Sequence, residues 1–272
     1  MSIIGLQYIT DKIDSYTLDT FPHSIILVGK EGCGKHVISN YIADKFKCEL
    51  IDITYNLSDE LISNMYRTPL TTFYLVDLRK ITEKDQNILL KVFEEPSSNI
   101  FIILLSNNTL NILPTVLNRG YILNIGSYKL EDLLEYAQYR NLKLDIDNYI
   151  FKYIIETPGD IEKILNYNIS LKCIKELTDK IINKLSIASF SNTLTIVNKL
   201  NFKDEYDKID VDFFLKMLYV SSSESYITEN NIKSLSIFKS VKETLCKLVD
   251  SRLNKKILIS NMLANMWRGV RL

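Results

Sequence analysis

The sequence predicts an α/β domain built on a parallel five-stranded sheet, followed by an all-helical region. Three observations carry this. An apolar run of strand length, Ser24–Val28, feeds a glycine-rich turn and then an amphipathic segment. Further apolar runs alternate with helical periodicity as far as Ile125. Beyond Ser170 only helical spacing is left. Strands alternating with helices imply parallel pairing, and strands apolar along their whole length imply a sheet covered on both faces.

In chain order, residues 8–16 read as a short helix leading into the first strand. The turn at 29–34 opens a helix whose Val37, Ile38, Tyr41, Ile42 and Phe46 recur at helical spacing. A second strand is predicted at 50–53, a helix at 57–66, and a third strand at 73–76 ending on Asp77. Thr82 starts a helix as its N-cap, with acids in the first turn and Ile88, Leu89, Val92 and Phe93 on one face. Pro96 stops it. The fourth strand is 100–105. A helix over 110–118 delivers Arg119, and the fifth strand is 121–125. Helices at 129–141, 146–156 and 160–167 follow. Leu171, Ile174, Leu177, Ile181 and Leu185 form one later stripe, and Phe213, Phe214, Met217, Leu218 and Val220 another. Leu245, Leu248, Val249, Leu253, Ile257, Met262, Leu263 and Met266 supply the last helices. Amphipathic stripes of this kind bury one face and form core.

Gly29-Lys30-Glu31-Gly32-Cys33-Gly34-Lys35 fits G-x-x-x-x-G-K in a strand–turn–helix context, which is what gives that pattern meaning. The glycines let backbone N–H groups face an anion, and the helix N-terminus adds partial positive charge. Lys35 would reach the outer phosphates. The next position, where a hydroxyl would hold magnesium, is His36. Gly29, Asp77 and Asn107 all fall at or just past the carboxyl end of a predicted strand, the edge where parallel sheets bind ligands. Asp77 reads either as an acid that holds magnesium or polarises water, or as a turn or cap aspartate.

At 272 residues the chain suggests two or three domains. Lys+Arg and Asp+Glu are equal at 33 each, which gives no support for wholesale coating of nucleic acid. The balance is uneven: between Asn231 and Leu272 basic residues outnumber acids nine to two. That end reads as a solvated helical face, or as a surface meeting DNA or an acidic partner. Cys33, Cys48, Cys173 and Cys246 are scattered, so neither a zinc site nor a disulfide framework is indicated, and a reduced, intracellular protein is expected. Residues 1–16 hold no signal-peptide core, and the apolar run 100–105 is far short of a membrane span.

The stretch from Asp77 to Pro96, with Thr82, Gln86-Asn87-Ile88-Leu89-Leu90-Lys91 and Glu94-Glu95-Pro96, resembles the L-T-x-x-A-Q-N-A-L-L-K-x-L-E-E-P segment of AAA+ clamp-loader proteins. Phe101 to Asn107 resembles their sensor 1 strand, and Asn118-Arg119-Gly120 resembles their S-R-C segment. With the phosphate loop, the resemblance covers residues 24–121. It is greatest to the delta-prime type of bacterial DNA polymerase III, or a viral equivalent. It implies an AAA+ domain at 1–126, a small helical lid at 127–169 and a helical collar for oligomerisation at 170–272. It also implies a cytoplasmic, membrane-free partnership with other clamp-loader subunits in a ring, a sliding clamp and primer–template DNA.

The departures qualify those implications. His36 replaces the magnesium-binding hydroxyl. Counted back from Thr82, Asp77 falls on the catalytic Glu position and Val76 on the magnesium Asp position. Counted from the strand, Asp77 is the magnesium acid and Leu78 replaces the Glu. Either way one of two acids is missing. The segment 157–161 resembles the start of the sensor 2 helix without its arginine, and the family's four-cysteine zinc module is absent. ATP in the loop, magnesium held weakly or not at all, and no zinc are therefore expected. Arg119 is implied to be an arginine finger acting in trans, on the rim of the sheet's carboxyl edge. The chain itself would hydrolyse weakly or not at all. Two other readings remain: an active AAA+ ATPase of a loader or initiator, and a DNA-binding adaptor using the basic C-terminal helices.

Overall fold

The periodicity at the amino end becomes α1 (Gln7–Asp14), followed by a 3-10 turn at Leu18–Thr20. The apolar runs become β1 (Ser24–Val28), β2 (Glu49–Asp52), β3 (Thr72–Asp77), β4 (Ile100–Ser106) and β5 (Tyr121–Asn124). Between them run α2 (Lys35–Phe46), α3 (Asp59–Met65), α4 (Glu83–Glu94) and α5 (Pro114–Leu117). The structure, a computed structural model, describes residues 3–110, 112–141, 153–167, 171–185, 187, 189, 191–192, 211–248 and 254–271. Every strand pair is parallel, in the order β2-β3-β4-β1-β5.

Alternate residues of the central strands serve two cores. Ile25, Leu27, Phe73, Phe101, Ile103 and Leu105 meet Ile9 and Ile13 of α1 and Ile38 and Ile42 of α2 on one face. Ile26, Tyr74, Val76, Ile102 and Leu104 meet Ile62 of α3, Leu89 and Val92 of α4 and Val116 of α5 on the other. This is why β1, β3 and β4 are apolar throughout: neither face is wet. Each such side chain contributes about 1.5–3 kcal/mol on burial. Phe21, Phe73 and Phe101 add edge and stacked ring contacts at the first face.

Local signals act as expected at α4. The Thr82 hydroxyl accepts from the Asp85 N–H, and the Asp85 carboxylate accepts from the Thr82 N–H. The helix expected over 110–118 is much shorter, because Leu113 is extended and Pro114 occupies the first turn. A residue before proline is pushed out of the helical region, so the helix cannot start earlier. Gly120 allows β5 to approach β1, since a Cβ there would lie 2.5 Å from Ile26 Cδ1.

Two units divide the chain: Met1–Asp145 with Ile155–Ile161, and Ile146–Ile154 with Glu162–Leu272. The first also holds α6 (Leu130–Tyr139). The helix α7 (Pro158–Tyr167) starts two residues before the expected 160, with proline at its first position. The helix expected over 146–156 lies outside the described residues as far as 152. In the second unit run α8 (Leu171–Lys184), α9 (Val211–Glu229), α10 (Ile232–Lys247) and α11 (Lys255–Gly269). Here α9 packs on α8 and α10, and α10 on α11. Phe213, Phe214, Leu215, Met217 and Leu218 are all buried, so this stretch of α9 is covered on nearly every side. Val249 and Leu253 of the last expected stripe lie outside the described residues.

Candidate functional site

The loop after β1 turns tightly because Gly32 and Gly34 take left-handed conformations, φ +78° and +89°. Gly34 then stands as the N-cap of α2, with no side chain to satisfy the first-turn N–H groups. Lys35, the first residue of α2, is buried. Its Nζ donates to the carbonyls of Gly29 (2.5 Å) and Lys30 (2.8 Å) and to Asn107 Oδ1 (3.2 Å). Burial lowers the Lys35 pKa; Cys33 opposes that shift and Arg79 adds to it.

Asp77, at the end of β3, is 1% exposed. Its N–H donates to Thr54 Oγ1 (2.9 Å). Its carboxylate is taken by Arg79, two residues on. Arg79 Nε donates to Oδ1 (2.8 Å) and a terminal nitrogen to Oδ2 (2.6 Å), while the Arg79 N–H also reaches Oδ1 (3.1 Å). Lys80 Nζ stands 3.7 Å from Oδ2. Burial pushes the Asp77 carboxyl up, but the hydrogen bonds and charge of Arg79 outweigh it and hold the pKa below its usual value. The other terminal nitrogen of Arg79 reaches Asn107 Oδ1 (3.5 Å), the same oxygen that Lys35 uses. Gly29, Lys35, Asp77 and Asn107 are thus brought together at the carboxyl edge of the sheet, with Arg79 among them.

His36 is exposed on the first turn of α2, and desolvation lowers its pKa, with Asp77 opposing and Arg79 adding to the shift. Lys30 and Glu31 are exposed on the loop; Lys30 pairs with Glu156 (3.1 Å). The Gly159 N–H donates to the Gly32 carbonyl (3.0 Å), and a Cβ on Gly159 would fall 2.3 Å from Gly32 Cα. Cys33 is buried, its carbonyl accepts from the Tyr128 hydroxyl (2.9 Å), and burial raises its thiol pKa, away from the reactive thiolate.

Arg119 stands elsewhere. The sequence reading put it on the carboxyl rim, and the structure corrects that. Because β4 and β5 are parallel, α5 returns the chain to the amino edge before β5 begins, and Arg119 lies there. Ser24 Oγ, at the start of β1, donates to the Arg119 carbonyl (2.8 Å). The guanidinium pairs with Glu94 (3.0 Å) and donates to the Thr115 carbonyl (3.1 Å). It borders a cleft with Pro22, His23, Phe93 and Pro96.

Sequence reasoning missed three side-chain partners and one backbone contact. Arg79 and Lys80 lie two and three residues after Asp77, and that closeness was the available signal. Glu94 was read as part of the Glu94-Glu95-Pro96 segment and not as the partner of Arg119. The backbone seal of Gly159 on Gly32 joins positions far apart in the chain and left no local trace.

Residues 50–129 match the family model described as "DNA polymerase III, delta subunit". Over that stretch the chain is similar to clamp-loader subunits of the AAA+ type. The match spans β2 to the start of α6, including Asp77, the α4 segment and Arg119. The chain is also 21% identical over 285 residues to "DNA polymerase III subunit gamma" of Buchnera aphidicola subsp. Acyrthosiphon pisum, covering 82% of this chain and 78% of that one. The same-named protein of Buchnera aphidicola subsp. Schizaphis graminum is 25% identical over 172 residues, covering 50% and 47%. Among solved structures, a mutant of Thermotoga maritima RuvB is similar at a TM-score of 0.49 and 13% identity, over 83% of this chain and 77% of that one.

A magnesium ion is what this class of fold implies beside the loop. The residues present do not fit one. Both oxygens of Asp77 are engaged by a guanidinium, the hydroxyl position holds His36, and Lys35, Arg79 and Lys80 crowd the edge with positive charge.

Proposed function

We propose that this chain acts in DNA polymerase III as a delta-prime-like clamp-loader subunit: it hydrolyses ATP weakly or not at all and supplies Arg119 to a neighbouring subunit's nucleotide. The observation that carries this is the split between the two edges of the sheet. At the carboxyl edge the acid needed for hydrolysis is locked to Arg79. At the amino edge, away from the chain's own loop, stands an arginine partly exposed to solvent.

The chemistry follows from those residues. Phosphoryl transfer needs a water-orienting acid and cations aimed at the developing charge, acting together. Asp77 is held by three N–H groups of Arg79, which compete with any proton or water for its oxygens. Arg119 carries a planar, permanently charged fork suited to phosphate oxygens, and its Glu94 partner is exposed enough to exchange. In a ring of clamp-loader subunits, such an arginine would complete a site it does not belong to.

The finer assignments belong to the same reading. Residues 1–126 serve as the AAA+ domain, 127–169 as a helical lid and 170–272 as the collar through which subunits assemble. The partners are other loader subunits, the sliding clamp and primer–template DNA. ATP, where bound, is held by residues 29–36 with Asn107. Action in the cytoplasm belongs to the same reading; among the described residues no helix is long and apolar enough to cross a membrane.

One observation favours a second reading, an active loader ATPase: both Buchnera relatives are named gamma. Turnover by the isolated chain separates the two. The proposal expects negligible hydrolysis with magnesium present; turnover of about 1 s⁻¹ or more, the low end for enzymes, would favour the active ATPase.

A further inference from the structure

The pairing of Asp77 with Arg79 does more than remove an acid. A guanidinium stands where a divalent ion would approach, and it is fixed on both sides. Two of its nitrogens hold the two carboxylate oxygens of a buried Asp77, and the third reaches Asn107 Oδ1. Lys35 Nζ uses that same oxygen from the loop side. The two cations therefore converge on one acceptor beside the loop glycines.

The charges facing this point can be counted by element. Lys35 comes from α2, and Arg79 and Lys80 from the turn after β3. Asp77 comes from β3 itself, and Glu31, whose charge also acts on Arg79, from the loop. Lys35, Arg79 and Lys80 stand closest to this point with Asp77 and Glu31, while Asp52, at the end of β2, acts on neighbouring His36. With both Asp77 oxygens taken by a guanidinium, the site disfavours a divalent ion and offers cations to an anion. Guanidinium also has the geometry for phosphate oxygens, and the carboxylate behind it sets its plane.

We propose that Arg79 is the cation this loop uses in place of magnesium, so that the site takes the polyphosphate of a nucleotide without a metal. Arg79 is then the residue that sets the metal preference of the site, and His36 is secondary to it. A threonine at position 36 would supply a hydroxyl, but Asp77 would remain tied to Arg79.

The test is equilibrium binding of ATP and of inorganic tripolyphosphate to the full chain, in EDTA and in magnesium. The expected result is the same affinity in both. Arg79→Ala should weaken binding in EDTA about tenfold or more, as loss of a charge-assisted contact does. If that variant fails to fold because Asp77 is left buried and unpaired, Arg79→Ala/Asp77→Asn removes both halves of the pair and should show the same loss. His36→Thr should leave binding independent of magnesium. Binding that needs magnesium, an Arg79 variant that binds like the parent in EDTA, or magnesium dependence conferred by His36→Thr alone would each overturn the proposal. It rests on reading residues 29–35 as a phosphate-binding loop. No binding under either condition would overturn that reading as well, whereas magnesium-dependent binding would overturn the role of Arg79 alone.

Discussion

Asp77 illustrates what a single residue can and cannot disclose from sequence. Its place at the end of an apolar strand marked it as an acid at the ligand edge, and it stands there. Its state depends on Arg79, two residues on, and nothing in strand periodicity says whether a following arginine turns back or points to water. The pair makes a stability prediction with a definite sign. The folded pKa of Asp77 is held low, so its contribution is present above the unfolded value of about 3.9 and is lost as pH falls through the folded value. In Arg79→Ala the side-chain hydrogen bonds and charge are lost, and burial is opposed only by the residue-79 N–H and Lys80; the folded pKa rises, and the stability gained above about pH 4 should shrink. At neutral pH the cost should be about 3 kcal/mol, at the low end for a broken buried pair because Arg79 is partly exposed. Urea denaturation between about pH 3 and pH 7 reads both effects; a variant with the parent's pH dependence would show that the pair is not holding the carboxylate ionised.

At the scale of elements, strands and helices were legible where one local rule decided them. The central strands are buried on both faces, so apolar runs sufficed. The start of α4 was legible because Thr82 carries its cap in its own side chain. The 110–118 stretch misled because apolar spacing suggested a helix that Pro114 forbids for the residue before it. The start of α7 hides a longer-range constraint: Gly159 touches Gly32, which is itself fixed at φ +78°. Gly159→Ala should therefore destabilise the first unit by about 1–3 kcal/mol, because neither backbone can retreat without breaking the Gly159–Gly32 hydrogen bond. Weakened protection of loop amides in hydrogen exchange should accompany it. An alanine variant with unchanged melting temperature would mean that the loop and this segment are not tightly joined.

At the scale of the whole molecule, parallel topology decides where Arg119 lies. Sequence order alone put it with the other site residues. The return of the chain through α5 carries it to the opposite edge, and only the pairing of β5 beside β1 reveals this. The position suits the proposed role of an arginine that serves another subunit, and on that proposal assembly is part of the function. A chain ending at residue 169 should fold in its first unit yet fail to co-purify with partner subunits, because the amphipathic C-terminal helices are the expected collar; retained assembly would remove that role. The most direct test of the central claim uses the reconstituted loader carrying Arg119→Ala. The account predicts that the complex still assembles, that ATP turnover falls by about 10³-fold at the neighbouring site as for other trans arginines, and that Arg119→Lys rescues little. Turnover at the parent rate in an assembled Arg119→Ala complex would contradict it.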